Sequence, residues 1–367
     1  MTPKHAIAPL STMPHQAQSM ARFDAWWLNG MADRAPVSIT APKAKPAQWP
    51  QKTHASHRER WMDIDFALDC FEAHVESTDY VGDSAPMYMP NLGPDIVATC
   101  YGAELEFEAT TSWSKAIAGN VRDICGMKLD LGNPYWRTIL EMTRRSLARG
   151  KGRWFTGLTD LHTNGDVLAA LRDSQHLATD CADDLEGVAL ACEHVTRDFA
   201  AIFDSQWDLI RTAGQPAMTW TNTMTANRAY PVSCDFICMI SPKTFHKAIL
   251  PSLVQEMRFL DRSIFHLDGP GALRHLDALL ATPELHAVQW VYGAGRGPGA
   301  NHIPVYQRIQ KGGKALQLIA EGIEDAKTVA RQLEPHGVWF TGVGARTRSE
   351  AEDFIAWVAD WSRGVVR

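Results

Sequence analysis

The sequence predicts an α/β fold, specifically a (β/α)8 TIM barrel built as a single domain with an N-terminal helical extension. Three observations predict it. From Ser263 onward, the apolar runs SIFHL, AVQWV, KALQLI and VWFTG are each followed by a helical segment, as a parallel sheet covered on both faces requires. Strand–helix units along the whole chain total about eight, which favours closure over an open doubly wound sheet. No Gly-x-Gly-x-x-Gly follows a strand with an acidic residue about 20 positions on, so the dinucleotide-binding fold lacks its fingerprint. Gly293-Ala-Gly295-Arg-Gly297-Pro-Gly299 is dense in glycine, but Pro298 and the missing Gly-Lys-Ser/Thr ending mark a wide loop rather than a phosphate cradle.

In chain order, residues 1–20 are assigned to an N-terminal arm and 21–367 to the barrel. The first 15 or so carry three prolines and no sustained period, which predicts a mobile or surface-hugging segment. Met20, Phe23, Trp26 and Trp27 recur at helical spacing up to a stop at Gly30, and the strand PVSITAP follows. A Pro- and Lys-rich loop over 42–55 precedes a helix from Arg58 to about His74. Residues 80–135 are the least regular, with a short helix after Pro94. Asn133-Pro134 starts a helix that Gly150 ends, and RWFTGLT is the next strand. A long helical region runs from Asp183 to Thr212, AMTWTN and DFICMI are strand-like, and Ser241 caps a helix. Helices at 270–280, 304–311, 323–333 and 348–361 then separate and follow the last four strands.

The 367 residues are 45% apolar and 21% charged, which excludes a disordered or fibrous chain. Lys and Arg number 36 against 42 Asp and Glu, a net charge of −6, so no overall positive field gathers nucleic acid or anionic lipid. Seven cysteines, an odd number thinly spread, suit a reducing cytoplasm, and no apolar segment approaches the roughly 20 residues that span a bilayer. The expected location is cytoplasmic. Thirteen tryptophans against seven tyrosines read as large core residues or as an aromatic-lined pocket.

Reactive groups in a barrel gather where the strands end. SIFHL runs into His266-Leu-Asp268-Gly-Pro-Gly, and strand alternation places His266 and Asp268 on one side, where they would bind Zn²⁺ or pair as base and orienting carboxylate. The alternative is that Asp268 caps the next helix while His266 bonds a neighbouring strand. After RWFTGLT come Asp160, His162, Asn164 and Asp166, with Asp160 and His162 as catalytic candidates, or a polar loop with Asp166 as a cap. Two such groups at separate strand ends can meet across one mouth. Asp235, Gln289 and Trp290 are candidates for the pocket wall, and Cys234-x-x-x-Cys238 reads as two structural thiols. His275 and Asp277, on the helix after the strand, are read as solvated or packing residues.

Asp33-Arg34-Ala-Pro36-Val37, Asn91-Leu-Gly93-Pro94, Ser241-Pro242 with Phe245 and Pro251, and His266-Leu-Asp-Gly-Pro-Gly with His275-Leu-Asp277 resemble the uroporphyrinogen decarboxylase superfamily, from about residue 20 to the C-terminus. The closer resemblance is to its cobamide-dependent methyltransferase-like branch. It implies a barrel with one deep pocket at the strand C-termini. Methylcobamide:thiol methyltransferases of this superfamily carry His-x-Cys-Gly and a later Cys, which hold zinc; here the matching element is His266-Leu-Asp268-Gly269, and the later position falls near Gly342-Val343-Gly344. The thiolate pair is absent, which leaves a harder site of His266, Asp268 and a third ligand such as His162. Where the decarboxylase branch has Arg-Gln-Ala-Gly-Arg, this chain has Ala41-Pro42-Lys43-Ala44-Lys45, while Asp83 falls near that branch's catalytic aspartate.

The expected function is therefore transfer of a methyl group, or cleavage of a methyl–heteroatom bond, on a small substrate, with His266 and Asp268 binding zinc or the substrate directly and the pocket taking either a carried corrinoid or the substrate alone. A corrinoid would have to arrive on a carrier protein, since the chain holds no His-x-x-Gly-type carrier module. One alternative is a lyase or decarboxylase in which Asp83 or Asp160 is the acid–base and Arg34 or Lys45 holds a carboxylate. Another is a catalytically silent ligand-binding barrel. By analogy with the superfamily, a homodimer is expected.

Overall fold

The alternation that begins at Ser263 becomes a parallel ladder. The structure is a computed structural model that describes residues 5–366. Its strands are β1 (Val37–Pro42), β2 (Thr78–Gly82), β3 (Met87–Tyr88), β4 (Leu105–Phe107), β5 (Ser112–Ser114), β6 (Phe155–Thr156), β7 (Ala229–Ser233), β8 (Arg262–Asp268), β9 (Ala287–Val291), β10 (Ala315–Ile319) and β11 (Val338–Gly344). Seven of them form one sheet in the order β2–β1–β11–β10–β9–β8–β7, parallel throughout except for β2, which runs antiparallel to β1. Two pairs stand apart: parallel β3–β6 and the hairpin β4–β5.

Register explains where the polar side chains go. Ser233 pairs with His266, His266 with Gln289, and Gln289 with Gln317, so one cross-strand row is polar on a single face while its sequence neighbours point to the other. The opposite face is apolar: Phe265, Val288, Leu316 and Phe340 are fully buried under the helices. Most tryptophans follow the core reading, with Trp26, Trp27, Trp136, Trp154, Trp290 and Trp339 among the largest buried side chains, while Trp49 and Trp113 are exposed.

Local caps set the helix boundaries. Asn133 accepts the Trp136 amide at the start of helix Pro134–Arg149, and Ser241 accepts the Thr244 amide before helix Leu250–Phe259. Elsewhere caps split what periodicity joins. The expected helix over 58–74 is two, His57–Met62 and Ile64–Ser77, because Asp63 caps the second by accepting the Phe66 amide. The region over 183–212 is likewise interrupted, with Asp184 capping helix Leu185–Thr196 and helix Phe199–Thr212 following.

Two strand readings are overturned. DFICMI is a 3-10 turn, Asp235–Met239, whose first amides are held by the Asp166 carboxylate at 3.0 Å each. AMTWTN is a folded-back segment with one antiparallel bridge, Ala217 to Thr225, in which hydroxyl contacts link Thr219, Thr221 and Thr223. The described part of the arm hugs the surface: Ala8 and Ser11 donate to the carbonyls of Gly214 and Gly152, and Leu10 and Met13 are buried.

Candidate functional site

The loop after β6 is fixed from beneath before it presents any reactive group. The buried Tyr230 hydroxyl on β7 donates to the Thr159 carbonyl and accepts the Leu161 amide, gripping the backbone on either side of Asp160. Asn164 adopts a left-handed φ of 49°, which asparagine tolerates, and its amide donates to the Ser233 carbonyl at 3.1 Å. Gly165 packs so closely that a Cβ there would lie 2.7 Å from Cys234 Sγ. Behind them Glu256, fully buried, accepts the Thr163 hydroxyl at 2.6 Å and the Asn164 amide at 3.3 Å. Burial raises the Glu256 carboxyl to about 8, against the pull of these two donors.

On this support His162 lies between two carboxylates, Nε2 at 3.2 Å from Asp160 and Nδ1 at 3.5 Å from Asp166. Burial opposes its charge, but Asp160, Asp166 and Asp235 outweigh burial and raise the imidazole to about 10. His162 is therefore an imidazolium at neutral pH, a proton holder rather than a ready metal donor.

At the end of β8, His266 is oriented differently. Its Nδ1 lies 2.5 Å from Gln289 Oε1, and with that amide oxygen as acceptor Nδ1 is the donor, which fixes the orientation of the ring. Nε2 lies 4.0 Å from Asp235, and the Trp220 ring stacks edge-on against the imidazole at 4.7 Å. Asp268 precedes helix Gly269–Ala272 without a side-chain cap bond, although the Gly269 amide draws on its carboxylate. Donor atoms of Asp235, His266 and Asp268 fall within 4.8 Å of one another, and so do those of His162, Asp166 and Asp235. Burial, then repulsion from neighbouring carboxylates, raises both Asp235 and Asp268 above the usual carboxylate range.

The expected meeting of the 160–166 loop and the 266–268 strand end therefore occurs, with Asp235 as the link. Gln289 joins as the orienting partner of His266. Trp290 does not: it follows Gln289 in β9, faces the other side, and is fully buried 6.0 Å from the His302 ring. Asp83 and Arg34 also lie elsewhere. At the start of β1 the buried Asp83 carboxylate takes the Arg34 guanidinium at 2.7 Å, Arg22 at 2.8 Å, the Ser19 hydroxyl at 2.6 Å and the Val37 amide at 2.8 Å. That is the opposite end of the sheet from Asp268, and it removes both residues from the mouth. Lys45 is exposed on its loop.

Cys234 is buried and Cys238 donates to the Asp268 carbonyl at 3.3 Å, in keeping with structural thiols. His275 bonds the Ile237 carbonyl, and Asp277 pairs with Arg308 on the surface. Tyr230, Glu256 and Trp220 were not legible as site residues. The one signal in the sequence was Asn164-Gly165, a pair suited to a tight backbone approach. No family model and no curated protein matches the chain. Among the described residues no helix is long and apolar enough to cross a membrane.

Proposed function

We propose that the protein is a metal-dependent enzyme that transfers or removes a methyl group on a small substrate at the C-terminal end of the sheet, with His266, Asp268 and Asp235 as the metal ligands. The observation that carries this reading is the convergence of Asp235, His266 and Asp268, whose donor atoms fall within 4.8 Å of one another while the His266–Gln289 hydrogen bond fixes the ring. Two neighbouring carboxylates repel without a cation between them, and a ring fixed through its second nitrogen is the usual support of a metal-bound histidine. The donor set fits a divalent ion that accepts nitrogen and oxygen, zinc included, rather than one that requires thiolates. When bound, such an ion supplies Lewis acidity toward the heteroatom that carries or receives the methyl group.

The chain's own residues divide the remaining work. Gln289 fixes the imidazole, Asp166 holds the Asp235 backbone in place, and His162 keeps a proton that balances the surrounding carboxylates. His266-Leu-Asp268-Gly269 stands where the methyltransferase-like branch has its His-x-Cys-Gly element, with Asp268 in place of the thiol, so the likeness bears on the position of the site and not on its donor set. A corrinoid on a carrier protein remains the proposed methyl partner. Closure into an eight-stranded barrel is part of the proposal: Ser84 Oγ bonds the Ile39 carbonyl, β3 pairs with β6, and the Leu158 amide reaches the Met218 carbonyl, which together bridge β1 toward β7.

Elemental analysis of freshly purified protein tests the metal directly. We expect near-stoichiometric divalent metal that His266→Ala and Asp268→Ala remove. A metal-free preparation with full activity overturns it. Methyl release that needs an acceptor supports transfer, whereas release of CO2 without an acceptor replaces it with the lyase reading.

A further inference from the structure

A second feature of the same sheet end is a cavity of about 320 Å³ between β1, β2, β11 and helix Ile64–Ser77, bounded by Ser38, Thr40, His74, Tyr80, Asn222 and Thr341. Its size is at the small end of ligand pockets. Among the described residues that line it there is no Asp, Glu, Lys or Arg. His74, at the rim, is shifted toward its neutral form by partial burial, and burial likewise keeps the Tyr80 phenol protonated. Neighbouring charges are engaged elsewhere: Asp83 with Arg22 and Arg34, and Asp79 with Arg348.

The polar side chains here are unspent. Ser38 accepts the Trp339 indole N–H and Ser84 donates to the Ile39 carbonyl, but Thr40, Tyr80, Asn222 and Thr341 make no side-chain hydrogen bond with any described residue. Asn222 is held in place by its turn. Its backbone has a left-handed φ of 61°, its amide donates to the Thr219 carbonyl, and the Thr221 carbonyl accepts Gln317 Nε2 at 3.0 Å. The turn that offers Asn222 to the cavity also places Trp220 against His266, so the cavity and the His266 cluster share one wall. Phe71 and Met87 supply the apolar part of the lining.

We propose that this cavity is a binding site for an uncharged small molecule with one flat apolar face and a hydrogen-bonding head. Thr40 and Asn222 stand exposed at the opening and Thr341 is buried; a carboxylate or ammonium ion would give up part of its hydration there and find no countercharge in the lining, whereas an amide or hydroxyl finds free donors and acceptors. The inference stands on the cavity and does not require a metal at His266, so the two can fail separately.

The isosteric series benzamide, benzoate and benzamidine, which differ in charge, tests it by titration of the full-length protein. Binding at the cavity is the part lost in Thr40→Trp. Gly344→Phe serves as a second plug, because a Cβ at Gly344 meets nothing within 4 Å. We expect the Thr40-dependent binding of benzamide to exceed that of either ion by about tenfold. Benzamidine held by Asp235 and Asp268 would survive both plugs and is thereby separated. Equal or tighter Thr40-dependent binding of benzoate or benzamidine, benzamide binding indifferent to both plugs, or no binding of benzamide up to its solubility limit overturns the proposal. Metal content, measured on the same samples, reports on the other reading.

Discussion

The two ends of the sheet use the same side-chain chemistry to opposite purposes. At the start of β1, Asp83 is buried with two guanidinium groups, a hydroxyl and a backbone amide around it, and its carboxyl lies below the usual range despite burial. At the end of β8, Asp235 and Asp268 face one another and their neighbours, and both lie above it. One end is a closed ion-pair cluster in which every charge has a partner. At the other, the His162 imidazolium only partly offsets Asp160, Asp166 and Asp235, so burial and mutual repulsion still hold Asp235 and Asp268 above the usual range, a demand that a bound cation would meet. A buried carboxylate alone therefore does not identify a site. What distinguishes the ends is whether the demand of each charge is met within the chain.

Breaking the closed end should have the largest effect. Asp83→Ala leaves Arg22 and Arg34 without their shared partner, and we expect a loss of roughly 3–5 kcal/mol in urea unfolding. The acid limb of stability should change with it. Because the folded pKa of Asp83 is depressed, its stabilisation is present above the unfolded value of 3.8 and is lost as pH falls through the folded value. Asp83→Asn should flatten that limb. An acid limb equal to that of the unsubstituted chain would show that Asp83 does not carry it.

At the other end, a divalent cation should act as the missing partner. At a hundredfold excess over its dissociation constant it should stabilise the protein by about 2.7 kcal/mol, read as a rise in melting temperature. His266→Ala should abolish that rise. Failure of any divalent ion to move the transition would place both ends in the same class.

Glu256 gives a next, smaller contrast, because it is buried without a cation. Its unfolded form releases the proton near 4.5 and its folded form near 8, so between these values the unfolded chain gains stability relative to the folded one. Glu256→Gln keeps the shape and removes the titration. We expect a gain of roughly 1–3 kcal/mol at pH 8 that shrinks toward pH 4.5. A gain independent of pH would contradict this sign.

The smallest effect is expected for Asp235→Asn without metal, within about 1 kcal/mol of the original stability and on the favourable side, since it relieves repulsion. The same variant should bind metal far more weakly. A large destabilisation would show that Asp235, like Asp83, is already paired within the fold.

Much of the architecture was legible because it rests on local rules. A run such as AVQWV, bounded by helices, emerges as β9 over the residues expected, and Asn133-Pro134 starts its helix where the cap and ring require. DFICMI misled because its apolar content fits a strand, whereas the Asp166 carboxylate, from a distant loop, binds its first amides and turns it. Trp290 is a different kind of miss. Alternation already implied that it and Gln289 cannot face the same side.

By itself, the sequence determined where β8 ends and that His266 and Asp268 share a face, since a period of two depends only on the extended backbone. Only the tertiary structure decided that Asp235 would link that pair to His162, that Arg34 and Asp83 would neutralise each other at the far end, and that Trp220 and Asn222 would divide the two halves of the mouth. Those outcomes depend on which distant segments the folded chain brings within a few ångströms, and Coulomb and hydrogen-bond energies act only over such distances.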